Sequence, residues 1–179
     1  MRTSFHFLLI TLLLAGRAGA AEQHGQGQDK SPKTDITALL KVQNDVQKLL
    51  PKVRPALVAI QTGGGTASGV IISADGLLLT AAHVPNGPGK DMRVILEDGT
   101  VTVAKSLGLD KTTDAALAKL KDRGKPWPFV NLSREVAKAQ PGEWCFALGH
   151  PGGFDKARGP VLRVGKIIKQ TANSLHSDC

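Results

Sequence analysis

The stretch "SGVIISADGLLLTAAHV", Ser68–Val84, decides the fold. Two apolar runs, Val70–Ile72 and Leu77–Leu79, flank Ser73-Ala74-Asp75-Gly76. Short β-rich runs on either side of an Asp-Gly turn predict an antiparallel hairpin. The second run ends in Thr80, two alanines and His83, so a strand held by apolar neighbours delivers a titratable ring at its tip. A lone histidine of that kind is more often structural than catalytic, and the rest of the chain has to weigh it.

The same texture extends on both sides. "ALVAIQT", "MRVILE", "TVTVAKSLG" and "DAALAKL" are short apolar runs, with Asp98-Gly99 and the segment Asp110–Thr113 among the turns between them. Six strands at this spacing predict an antiparallel barrel or sandwich rather than alternating strands and helices. A looser segment, "DRGKPWPFVNLSREVAKAQPG", leads to two further runs, "EWCFALGHP" and "GPVLRVGKIIKQ". If the first six strands close one barrel, these two begin a second that stays incomplete within the 179 residues.

Before Pro55 the pattern is helical. "TDITALLKVQNDVQKLLPKV" spaces Ile36, Leu39, Leu40, Val42, Val46, Leu49 and Leu50 mostly three and four apart, with Thr34 or Asp35 able to cap. Pro51 is expected to stop this amphipathic helix. Packing on the first barrel is the plainer use for it, and an oligomer contact is left open. Further upstream, residues 21–34 are polar and Gln/Gly-rich, too poor in apolar groups to offset ordering, and read as a disordered linker. Residues 1–20 place Arg2 before a nine-residue apolar run and end in Ala18-Gly19-Ala20, the pattern of a secretory signal peptide. That run is about half the 18 or more residues of a membrane span, so no stable membrane insertion is expected. The expected product is exported, periplasmic or secreted, with cleavage near Ala20. The organisation is thus 1–20 signal peptide, 21–34 linker, 35–52 helix and 53–179 β domain.

Composition narrows the function classes. The net charge is +8 and falls by two with the leader, which holds Arg2 and Arg17 and no acidic residue. The basic residues are scattered, aromatics are 4% of the chain and tyrosine is absent, so there is neither a clustered basic face nor a stacking platform for nucleic acid. Cys145 and Cys179 form no C-x-x-C pair; export would permit one bond between them, yet Cys145, inside "EWCFALG", reads as a buried small hydrophobe. His150 in "LGHPGG" has no His or acidic neighbour at ligand spacing and reads as a turn residue. The Gly63–Gly65 run lacks the Gly-Lys-Ser/Thr of a phosphate loop. No cofactor or metal is expected.

Chemistry concentrates on two positions. Asp114 lies 31 residues after His83 and opens "DAALAKL", so both polar groups stand at ends of apolar strands that can converge. A carboxylate that accepts from one imidazole nitrogen fixes the tautomer and leaves the other nitrogen to act as a general base. Asp110 is a rival carboxylate that precedes the turn.

Taken in order, "PALVAIQT", "SGVIISADGLLLTAAHV", "VILEDGT", "LGLDKTTDAALAKL", "FALGHPGG" and "GPVLRVGKI" resemble the trypsin-like serine proteases of the high-temperature-requirement (Deg-type) branch, over about Val53 to Lys169. The resemblance implies an all-β, chymotrypsin-like antiparallel double β-barrel, the first barrel complete and the second incomplete here, with the active site between them. It implies His83 as general base, Asp114 as orienting acid, and unfolded or misfolded polypeptide as substrate. One departure stands out: the family's nucleophile motif, Gly-Asp/Asn-Ser-Gly-Gly, does not occur. If "HSDC" aligns with the approach to it, the serine falls roughly eight residues past Cys179. Ser68, Ser174 and Ser177 lack the setting of a nucleophile, so no measurable peptidase activity is expected of these residues alone. The alternative is a non-catalytic protein that keeps the barrel to bind polypeptide or another subunit.

Overall fold

The computed structural model describes residues 11–13, 35–133, 138–171 and 174–179. The expected linker at 21–34 and most of the expected leader lie outside the described residues. Of the leader only β1, Thr11–Leu13, is described; it pairs antiparallel with a strand of the second lobe, Thr11 opposite Ala147 and Leu13 opposite Cys145.

The helix α1 runs Ile36–Val53. Asp35 caps it, its carboxylate accepting from the backbone N–H of Thr37 at 2.9 Å. Pro51 does not stop it as expected. A proline this close to a helix end forfeits one intrahelical donor, and the Arg54 N–H still reaches the Leu50 carbonyl, so the last turn survives and a 3-10 turn, Arg54–Ala56, follows. Val46 is the buried residue of α1, while Ile36, Leu39 and Leu40 remain exposed, so its first turns do not pack as the apolar spacing suggested.

Six strands then close into a barrel. They are β2 Leu57–Thr62, β3 Gly65–Ile71, β4 Leu77–Thr80, β5 Asp91–Ile95, β6 Val101–Asp110 and β7 Ala115–Leu120. The ring order is β2-β3-β4-β7-β6-β5, with β5 returning to β2. Alternation of inward and outward side chains, as along β7, sets the register, because a slip of one residue would turn the apolar set outward. The core holds Val58, Ile60, Ile71, Leu78, Met92 and Val94, with Leu120 and Trp127 among its other members. Trp127 comes from the segment after β7 and closes one end of the barrel, its backbone N–H donating to the Ala74 carbonyl at 2.9 Å. It can lie there because Gly76 has no side chain: a Cβ at Gly76, where φ is +88°, would stand 2.8 Å from the indole.

The second lobe is an open sheet of β8 Trp144–Gly149, β9 Val161–Gln170 and β10 Leu175–Ser177, with β1 on the β8 edge. Its own cluster is small: Ala139, Cys145 and Ile167, against which Leu175 and Cys179 pack. The architecture is therefore mostly β, one closed six-stranded antiparallel barrel beside an open sheet, with one helix in front.

Candidate active site

The apolar run of β4 pairs with β3 on one side and β7 on the other, Leu79 opposite Val70 and Leu117. Beyond Thr80 the strand leaves the ladder and turns through Ala82–Pro85. Ala81 and Ala82 are buried, and only small side chains let this turn sit so close to the barrel end. The turn is tied to the start of β7 twice. The Ala82 N–H donates to the Asp114 carbonyl at 3.1 Å, and the His83 N–H donates to Asp114 Oδ1 at 3.2 Å.

Those bonds present the two side chains to each other. His83 Nδ1 lies 2.9 Å from Asp114 Oδ2 and 3.1 Å from Oδ1. An ionised carboxylate can only accept, so Nδ1 carries the proton and donates, and Nε2 is the nitrogen with a lone pair. Asp114 reaches this position with φ of +50°, left-handed backbone that Asp and Asn enter more readily than other non-glycine residues. Both side chains are about half exposed, 51% each. Asp114 is thus less enclosed than a carboxylate deep in a strand, because it sits one residue before Ala115, the first rung of β7, at the rim of the barrel wall.

Asp110, the rival carboxylate, faces elsewhere. It accepts from the Thr112 N–H at 2.8 Å and the Thr113 hydroxyl at 3.0 Å, and these bonds hold its carboxyl below the usual carboxylate range. They brace the hairpin whose far end is Asp114.

His83 opens onto a cavity of about 580 Å³ between the barrel and the second sheet. Ser68, Met92 and Lys90 line the barrel side; Leu148, Val161 and Arg163 line the other. A cleft of this size accommodates a few side chains of an extended peptide. The two walls are joined where the His150 N–H donates to Ser68 Oγ at 2.8 Å. That bond gives Ser68 a structural role between the two walls. Ser174 is bonded to Thr171 and His176 on the tail.

His150 was expected only as a turn residue. It does make that turn, its carbonyl accepting from Gly153 at 3.0 Å, but it is also buried to 3% exposure and borders both the cleft and a smaller cavity of about 50 Å³. Burial, with the cations of Arg158 and Arg54 nearby, holds its imidazole below the ordinary histidine range. Its Nδ1 has no hydrogen-bond partner among the described residues. An isolated histidine beside an apolar run gave no sign of this in sequence; only the packing of the 150–154 turn onto the barrel creates it.

Among the described residues no group of three His, Cys, Asp or Glu side chains could hold a metal ion, and no helix is long and apolar enough to cross a membrane.

Comparison with known proteins places the same segment. The trypsin-like peptidase domain family matches residues 67–179. "Putative serine protease HhoB" of Synechocystis sp. is 42% identical over 91 residues, 51% of this chain and 21% of that protein. "Probable periplasmic serine endoprotease DegP-like" of Marinomonas sp. is 40% identical over 111 residues, 62% of this chain and 22% of that protein. "Serine protease HTRA1" of Xenopus laevis is 31% identical over 140 residues, 72% and 28% respectively. The chain therefore spans between a fifth and a third of the length of these relatives.

Proposed function

Because the chain belongs to the trypsin-like peptidase domain family, we propose that it serves peptide-bond hydrolysis by acyl transfer, with His83 as general base and Asp114 as the acid that orients it. The observation that carries the reading is the 2.9 Å contact between His83 Nδ1 and Asp114 Oδ2 at the mouth of the interlobe cavity.

The chemistry follows from that contact. With Nδ1–H held by Asp114, Nε2 takes the proton of an attacking hydroxyl as the tetrahedral adduct forms. The carboxylate then stabilises the imidazolium until Nε2 returns the proton to the leaving amine. A second cycle with water in place of the hydroxyl releases the acyl group. Residues 1–179 contain no Gly-Asp/Asn-Ser-Gly-Gly, so the hydroxyl and the oxyanion donors have to be supplied from outside them. The named activities of the relatives support a polypeptide substrate, unfolded or misfolded chains by analogy. The leader-like residues 1–20, together with a relative named periplasmic, support an exported protein.

The test is restoration. The nucleophile-bearing segment of the Marinomonas relative is fused after Cys179, and cleavage of unfolded casein is measured with and without His83→Ala. Turnover that His83→Ala abolishes supports the assignment; a folded fusion with equal turnover in both forms refutes the role of His83. Residues 1–179 alone should give no turnover.

A second reading rests on the closed barrel, whose ladder and core are complete by Trp127. It makes the barrel a non-catalytic binding unit for polypeptide or another subunit. A cooperative melt of a soluble monomer, together with an inactive fusion, would favour it.

A further inference from the structure

Cys145 and Cys179 are 34 residues apart in sequence and meet on the second lobe, Sγ to Sγ 3.6 Å. Three features bring them there. Cys145 is on β8 and faces Gly165 across the β8–β9 ladder. Asp178 anchors the tail on β9, accepting from the Lys166 N–H at 2.6 Å and returning its own N–H to the Lys166 carbonyl at 3.2 Å. The tail then passes over Gly165: a Cβ there would stand 2.2 Å from Asp178 Oδ1 and 3.1 Å from Cys179 Sγ. A glycine opposite Cys145 thus leaves a lane that leads the second thiol to the first.

We propose that Cys145 and Cys179 are a disulfide-forming pair, oxidised by a disulfide-class oxidant, that fastens the tail across the second lobe. This goes beyond the hydrolytic reading and does not depend on it. The sulfur separation has to shorten by roughly 1.5 Å to reach a bond of about 2.05 Å, a change within reach of side-chain rotation. The lobe has reason to need the link. Among the described residues its own cluster has three buried members, and the two cysteines belong to it or pack on it. A lobe with so little apolar core gains most from a covalent staple.

The step balances as thiol–disulfide exchange. The Cys179 thiolate, on the more exposed residue, attacks one sulfur of the oxidant and releases a first thiolate. Cys145 then loses its proton and attacks Cys179 Sγ of the mixed disulfide, releasing the second. Two protein thiols give up two protons and two electrons, and the oxidant disulfide becomes two thiols. In the dithiol, burial and the neighbouring Cys179 push the Cys145 thiol up to about 12, which disfavours Cys145 as the first nucleophile.

The experiment uses the full chain with glutathione disulfide as oxidant. After alkylation of remaining thiols, intact mass and non-reduced peptide mapping are read, and melting is followed in oxidising and reducing buffer. The expected result is a monomer two mass units lighter than the reduced form, unalkylated, with a Cys145–Cys179 cross-linked peptide. Its melting temperature should rise by several degrees on oxidation, and Cys179→Ser should melt alike in both buffers. Two alkylated thiols, stable glutathione adducts at both sites, or disulfides only between chains would overturn the proposal. So would a cross-link that leaves the melting temperature where the reduced chain has it.

Discussion

Asp114 holds His83 by two different parts of the histidine: its carboxylate accepts from the backbone N–H at 3.2 Å and from the ring at Nδ1 at 2.9 Å. Position and tautomer are therefore set by one side chain. Asp114→Asn keeps a residue that tolerates φ of +50° but can turn an amide N–H toward the ring. The ring is expected to switch to the tautomer protonated at Nε2, seen in the imidazole nitrogen shifts, whereas Asp110→Asn leaves them unchanged. In the restored fusion the same variant should lose about 10⁴-fold in kcat.

Leu78 is fully buried at the centre of the barrel core. Leu78→Ala removes three buried carbons where a closed ring of strands cannot collapse inward. The expected loss is about 2–5 kcal/mol, read from urea denaturation with an unchanged slope. An unchanged midpoint would mean that the core is not packed as described.

Gly76 and Gly63 make a matched pair for backbone strain. An alanine at Gly76 meets the Trp127 indole at 2.8 Å and must hold φ of +88°, while one at Gly63 meets nothing within 4 Å. Gly76→Ala is expected to cost at least about 1–3 kcal/mol and to shift tryptophan fluorescence, and Gly63→Ala to stay within roughly 0.5 kcal/mol.

His150 gives the fold a pH dependence of definite sign. Its folded imidazole is held below 6.5 by burial first and the two arginines second, so the unfolded chain binds the proton more readily. Its contribution is complete above about pH 6.5 and declines as the pH falls from there towards the folded value, because protonation then favours the unfolded state. A melting-temperature series between pH 7.5 and 5 should slope downward on the acid side in the wild type and more shallowly in His150→Gln.

The strands were legible because the chain writes them in short β-branched and leucine runs punctuated by Asp-Gly turns; each of the eight runs read from sequence has its counterpart among β2 to β9. Pairings that depend on distant partners were not. β10 is only Leu175–Ser177 and exists because β9 offers an edge, and β1 likewise borrows the edge of β8. The proximity of His83 to Asp114 was expected from strand ends and from a resemblance, but the left-handed backbone that achieves it has no sequence signature beyond the residue type. The burial of His150 and the meeting of Cys145 with Cys179 arise from tertiary packing alone, 82 residues separating His150 from Ser68 and 34 separating the two cysteines.

Ring closure of β2 through β7 has a consequence for degradation. A hydrogen-bonded cylinder presents no terminal rung from which unzipping can start, whereas the sheet of β8 to β10 has two. Under a limiting dose of an added proteinase, cuts should accumulate downstream of the Trp127 plug and whittle the molecule to a resistant kernel that starts near Leu57 and ends near Val130. The His83–Asp114 pair is thus mounted on the most durable part of the polypeptide and would outlast the lobe it faces.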